Sequence, residues 1–161
     1  MIIDYDKQYD EQVKDLLVEL QEYIVSIDKE RYNIITPSYR EEYFKKTMDE
    51  VNNYEGKIYL YKENNEILGL IVGLINNEET SDYDFRAPKR GRVLELIVTK
   101  KIRSKGIGKQ LLDKMTEYFK EKNCEDILIG VFGYNENAIK FYEKCGYHTR
   151  MIEMTRKIKE N

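Results

Sequence analysis

The chain has 161 residues, 41% of them apolar, which is enough for one domain with a real core. Its 27 Lys+Arg and 30 Asp+Glu leave a net charge of -3, so no global field draws a polyanion and nucleic acid is not an expected partner. Cys124, Cys145 and the single His148 lack zinc-site spacing, so no metal is expected; the first residues lack a signal pattern and no apolar run is long enough to span a bilayer, so a reduced, cytoplasmic protein without a membrane partner is expected.

In chain order, a short apolar start at 2–5 precedes residues 9–27, where Val13, Leu16, Leu17, Leu20, Tyr23, Ile24 and Ile27 recur at helical intervals. The link "SIDKERYNIITP" leads to a second helical pattern over 38–51 through Tyr39, Tyr43, Phe44, Met48 and Val51. "KIYLYK" (57–62) and "ILGLIVGLI" (67–75), separated by "ENNE", predict an antiparallel hairpin. A loop, "NNEETSDYDFRAPKRG", follows.

From residue 92 the pattern changes. "RVLELIVT" reads as a buried strand, "RSKGIGKQLLDKM" (103–115) as a glycine loop running into a helix, and "DILIGVF" (126–132) as a second strand buried on both faces. "NENAIKFYEKC" (135–145) is a short helix, Gly146 its left-handed stop, and "YHTRMIEMTRKI" has the alternation of a closing strand. The sum is an α+β fold with a mixed sheet.

The glycine loop carries the chemical signal. Aligned on G-x-x-x-x-G-K-S/T, it has Arg103 for the first glycine and Gln110 for the hydroxyl; aligned on G-x-G-x-x-G, it has Leu111 for the last glycine. Both nucleotide fingerprints therefore fail. What remains is R-x-x-G-x-G at a strand-to-helix junction, where backbone N–H groups and the positive end of the helix dipole can receive a diphosphate. A tight turn without a ligand is the plainer alternative.

Residues 93–147 resemble the core of the GNAT superfamily of acyl-CoA-dependent N-acyltransferases. The likeness rests on the strand "LELIV", the loop Arg103-Ser104-Lys105-Gly106-Ile107-Gly108 against R/Q-x-x-G-x-G/A, and Asn135, Ala138, Tyr142, Gly146 and Tyr147 against N-x-x-A-x-x-x-Y-x-x-x-G-F/Y. The first 90 residues carry no comparable motif, although their helix, helix, hairpin order suits the family. The resemblance implies a GNAT-like mixed sheet with a splayed central pair of parallel strands and helices on both faces. It also implies one N-acetyltransferase domain over 1–161, with acceptor-side helices and hairpin at 1–90, an acetyl-CoA-binding core at 91–147 and a C-terminal strand at 148–161.

The implied chemistry is transfer of acetyl from acetyl-CoA, as co-substrate, to a primary amine by direct attack through a tetrahedral intermediate. Leu96, Ile97 and Val98 would give main chain to the pantetheine arm, with an oxyanion donor near Ile97 or Val98. The stretch Arg103, Ser104, Lys105, Gly106, Ile107, Gly108 and Lys109 would take the diphosphate, and Asn135 and Ala138 would line the arm. Asn135 also suits a plain N-cap, and Ala138 plain packing. Tyr142 would protonate the leaving thiolate, or is a core aromatic. Glu95, the lone carboxylate in "VLELIV", is the candidate base, or else faces solvent or a salt bridge.

Tyr23, Tyr32, Tyr39 and Tyr43 with Glu78, Glu79, Asp82 and Asp84 would form an acidic rim for a small-molecule or peptide amine, unless those charges are merely solvated. Cys145 and His148 receive no role. The resemblance leaves a homodimer open, and it leaves the alternative of a non-catalytic acetyl-CoA-binding or regulatory domain.

Overall fold

Two adjacent asparagines start the sheet. Asn64 and Asn65 both hold positive φ, 48° and 64°, the backbone a tight hairpin turn requires. They join β2 (Lys57–Glu63) to β3 (Glu66–Asn76) as the predicted antiparallel pair. In the computed structural model, which describes residues 1–76, 79–102 and 105–159, the chain divides into two compact units, 1–130 and 131–161.

The first unit adds β1 (Ile2–Asp4), α1 (Asp10–Ile27), α2 (Tyr39–Asn53), β4 (Arg90–Val98), α3 (Ile107–Glu121) and β5 (Asp126–Ile129). The sheet runs in the order β1-β2-β3-β4-β5, antiparallel throughout except for the parallel pair β4 and β5. This is the expected α+β mixed sheet. Helices cover both faces. Val13, Leu16 and Leu17 of α1 share a core with Ile58, Leu60, Leu70, Val72 and Ile97, which Tyr43, Phe44 and Met48 of α2 border. On the other face, glycines in the strands let α3 approach closely: a Cβ on Gly73 would strike Met115 and Phe119, and one on Gly91 would strike the Phe119 ring.

The α1–α2 connection is tied by a buried carboxylate. Asp28 closes α1 and accepts N–H bonds from Glu30 at 2.9 Å and from Tyr32 and Asn33 at 2.8 Å, which fixes a loop that has no regular structure of its own.

The second unit is built on α4 (Glu136–Lys144), which ends as predicted at Gly146 with φ 90°. Two expectations need correction. The strand expected over 126–132 stops at Ile129, and β5 is the edge of the sheet with half-buried residues rather than a strand buried on both faces. No strand forms among the described residues of 148–161: Met151, Ile152, Met154 and Ile158 are all exposed. Alternation makes a segment fit to be a strand, but only a hydrogen-bonded neighbour makes it one.

Gly91→Ala should lower stability by about 1–3 kcal/mol, because Phe119 has no room to retreat within a packed core. Chemical denaturation of the variant against the parent measures this.

Candidate active site

One residue too many in β4 shapes the site. Along the β3–β4 ladder Val72 pairs with Glu95, and the next residue, Gly73, pairs with Val93, so Leu94 is an inserted residue and β4 bulges there. Residues paired across a ladder share a face. Val93 therefore lies with Gly73 on the α3 side, while Glu95 lies with Val72 on the side of α1 and α2. The parallel ladder to β5 runs from Arg90↔Asp126 to Val93↔Ile129 and ends at the same bulge. β4 then continues to Val98 with no strand beside that edge among the described residues.

The direction of the main chain follows from one hydrogen bond. Thr99 N–H donates to the Leu68 carbonyl at 2.9 Å, so by antiparallel alternation Ile97 also turns its N–H and C=O towards β3, while Leu96 and Val98 turn theirs to the opposite edge. Ile97, expected to give main chain to the pantetheine arm, thus has its backbone directed at β3. Its main chain serves the sheet and its side chain the core, at 4% exposure.

Glu95 is buried, at 8% exposure, which excludes the solvent-facing alternative. Its Oε1 accepts a hydrogen bond from the Tyr43 hydroxyl. Tyr39 stacks on Tyr43 with centroids 4.9 Å apart and planes 13° from parallel. Loss of water pushes the Glu95 carboxyl up to about 7; Glu50 adds to the rise, and the Tyr43 hydroxyl and Lys46 oppose it. Burial, reinforced by Glu95, holds the Tyr43 and Tyr39 phenols well above the ordinary tyrosine value. Sequence spacing cannot disclose this pair, since 52 positions separate its members.

At the other end of β4 a short turn, Lys100–Ile102, leads towards α3. Glu19 of α1 pins this exit, accepting from Thr99 Oγ1 at 3.0 Å and from Lys100 N–H at 2.8 Å. No motif drew attention to it. Gly106 caps α3 with φ 72°, and the space where a Cβ would stand is open. Gln110 N–H donates to the Gly106 carbonyl at 3.1 Å, and no acidic side chain occupies the first turn of α3. This is chemistry fitted to an anion. Ile107 is buried, Lys105 and Lys109 are exposed, and the Lys109 ammonium lies 2.6 Å from Asp113. Arg103 and Ser104 lie outside the described residues.

In the second unit Asn135 is the N-cap of α4, its Oδ1 accepting from Ala138 N–H at 3.3 Å. Tyr142 meets the rings of Phe141 and Tyr147 edge-on, at 5.1 and 5.6 Å, and is half-buried. The loop with Glu79, Asp82 and Asp84 joins β4 at Arg90, five residues from Glu95 or roughly 16 Å along a strand. Glu78 lies outside the described residues.

Comparison with known proteins agrees with this architecture. The pattern of the Acetyltransferase (GNAT) family matches residues 29–147. Glucosamine 6-phosphate N-acetyltransferase of Arabidopsis thaliana is 23% identical over 122 residues, covering 76% of this chain and 80% of that protein. Among solved structures, a tetramutant of the BH1408 protein from Bacillus halodurans matches with a TM-score of 0.85 at 20% identity, over 98% of this chain and 99% of that one. An aminoglycoside N-acetyltransferase, AAC(6')-Iy, in complex with CoA matches with a TM-score of 0.69 at 14% identity, over 98% of each chain. The two structural likenesses show the fold alone.

The state of Glu95 has a measurable cost. Its folded value near 7 exceeds the ordinary 4.5, so its protonated form is favoured by folding, and the stability this gives is present below 4.5 and lost as pH rises through 7. Stability should fall by about 3 kcal/mol across that interval through this group, and Glu95→Gln should remove the fall. Denaturation at pH 5 and pH 8 for both proteins reads the difference.

Proposed function

Because the chain belongs to the GNAT acetyltransferase family, we propose that it transfers the acetyl group of acetyl-CoA to a primary amine, by direct attack of the neutral amine on the thioester. The observation that carries this reading is Glu95, a buried carboxyl at about 7 placed at the bulge where the β4–β5 ladder ends. An alkyl ammonium, with a pKa of about 10.4 if it resembles lysine, is almost wholly protonated at neutral pH and must lose a proton before it can attack. A carboxyl that titrates near neutrality is suited to take it.

The other roles are assigned from the strand edge, the helix start and the two sequence motifs. Acetyl-CoA brings the activated carbonyl. The edge of β4 that carries the Leu96 main chain is suited to bond the pantetheine arm as an added strand would, with Leu96 N–H as a donor to the developing oxyanion and Val98 next along the strand on the motif. The first turn of α3, with Lys105, Gly106, Ile107, Gly108 and Lys109, is suited to the diphosphate, and Arg103 and Ser104 join it on the motif. Asn135 and Ala138 take the pantetheine arm, and Tyr142 gives its phenolic proton to the departing thiolate; the motif of α4 supports these assignments.

The test is release of free CoA from acetyl-CoA across a panel of primary amines: amino sugars including glucosamine 6-phosphate, polyamines, and peptides with free N-termini. Turnover of at least one amine is expected, and Tyr142→Phe should lower kcat more than it weakens acetyl-CoA binding. A domain that merely holds the coenzyme would instead gain about 2.7 kcal/mol of stability at 100 times Kd while releasing no CoA.

A further inference from the structure

Glu95 is too buried to meet an ammonium over much of its surface, and its Oε1 is already engaged by the half-buried Tyr43. We propose that Tyr43 is the proton conduit of the site: its Oη accepts a proton from the acceptor ammonium as its own O–H proton passes to Glu95 Oε1. The products are a neutral amine, a neutral phenol and a protonated glutamic acid, with one O–H bond broken and one formed at Tyr43. This inference rests on the reading of Glu95 as the base.

The surroundings hold Tyr43 to the task. Tyr39 stacks on its ring, the Lys46 ammonium sits 5.6 Å from the ring centroid, and Thr47 Oγ1 donates to the Tyr43 carbonyl at 2.8 Å. The stack and the Lys46 contact hold the ring without using its hydroxyl, and the Thr47 bond ties down the backbone beneath it. Its phenol, held well above the ordinary value, does not ionise on its own, so the two proton movements are concerted and no phenolate accumulates. The charged or titratable groups facing Glu95 come from α2: Tyr39, Tyr43, Lys46 and Glu50. β3 places Val72 opposite it, and α1 contributes Val13, Leu16 and Leu17 to the same core. No competing acid or base among these apolar neighbours offers another route.

Tyr43→Phe keeps the ring and the stack and removes only the hydroxyl. The carboxylate then loses a donor that favours its charged form, so the Glu95 titration followed by carboxyl NMR should move to higher pH. The acid limb of kcat/KM, measured with the fastest amine of the panel above, should move by the same amount, and kcat/KM at pH 7 should fall about tenfold to a hundredfold with KM for acetyl-CoA unchanged. A melting temperature within the range of the parent shows that folding is intact. An unmoved titration, or a moved titration with an unmoved limb and undiminished rate, overturns the conduit. Glu95→Gln separates the two claims. Loss of the limb in that variant keeps Glu95 as base whatever Tyr43 does, whereas an unaltered limb, or no turnover of any amine by the parent, removes the base and the conduit together.

Discussion

Leu94 is the residue by which β4 exceeds β3, and the consequences of accommodating it reach every part of the site. A strand without the insertion would keep alternate residues on one face, so Val93 and Glu95 would share a side. With it, Val93 faces α3 and Glu95 faces α2, and the parallel partner β5 parts from β4 at the same level. The bulge thus supplies both features that the proposed reaction needs: a carboxyl turned into an apolar core, and a strand edge no longer used by the sheet.

The two faces of β4 contribute with opposite energetic signs. Closing the α3 face with Gly73 and Gly91 under Met115 and Phe119 makes a tight, stabilising layer that holds the β4 backbone still. Keeping Glu95 in the opposite layer destabilises the protein wherever the group is ionised, and the Tyr43 hydroxyl offsets only part of that. Such a conflict between local chemistry and packing is what the proposed proton transfer through Glu95 requires. Glu19 performs a quieter duty. By binding Thr99 and the Lys100 N–H from α1, it fixes where the chain leaves β4 on its way to Gly106.

Much of this was legible in the sequence, for identifiable reasons. The helices, the Asn64-Asn65 hairpin, the glycine cap of α3 and the Gly146 stop each have a local physical cause, and local causes are written in neighbouring residues. Glu95 stood out for the same reason, as one charge inside an apolar run. What stayed hidden depends on distant partners. The Tyr43–Glu95 bond joins residues on different elements, and the bulge is a property of two strands together. Nor does the sequence show which backbone groups face which edge: alternation along β4 turns the Ile97 main chain to β3 and that of Leu96 to the other edge. The C-terminal strand failed because residues 148–159 alternate without a neighbour to pair with.

The central claim is that the exposed edge of β4 and the first turn of α3 together receive the coenzyme. Residue-resolved amide exchange by NMR, with and without acetyl-CoA, tests it most directly. The account predicts slowed exchange at Leu96 and at Ile107, Gly108 and Lys109, with no change along the Ile97 face already bonded to β3. Exchange rates at all four amides left unchanged by saturating coenzyme would contradict it.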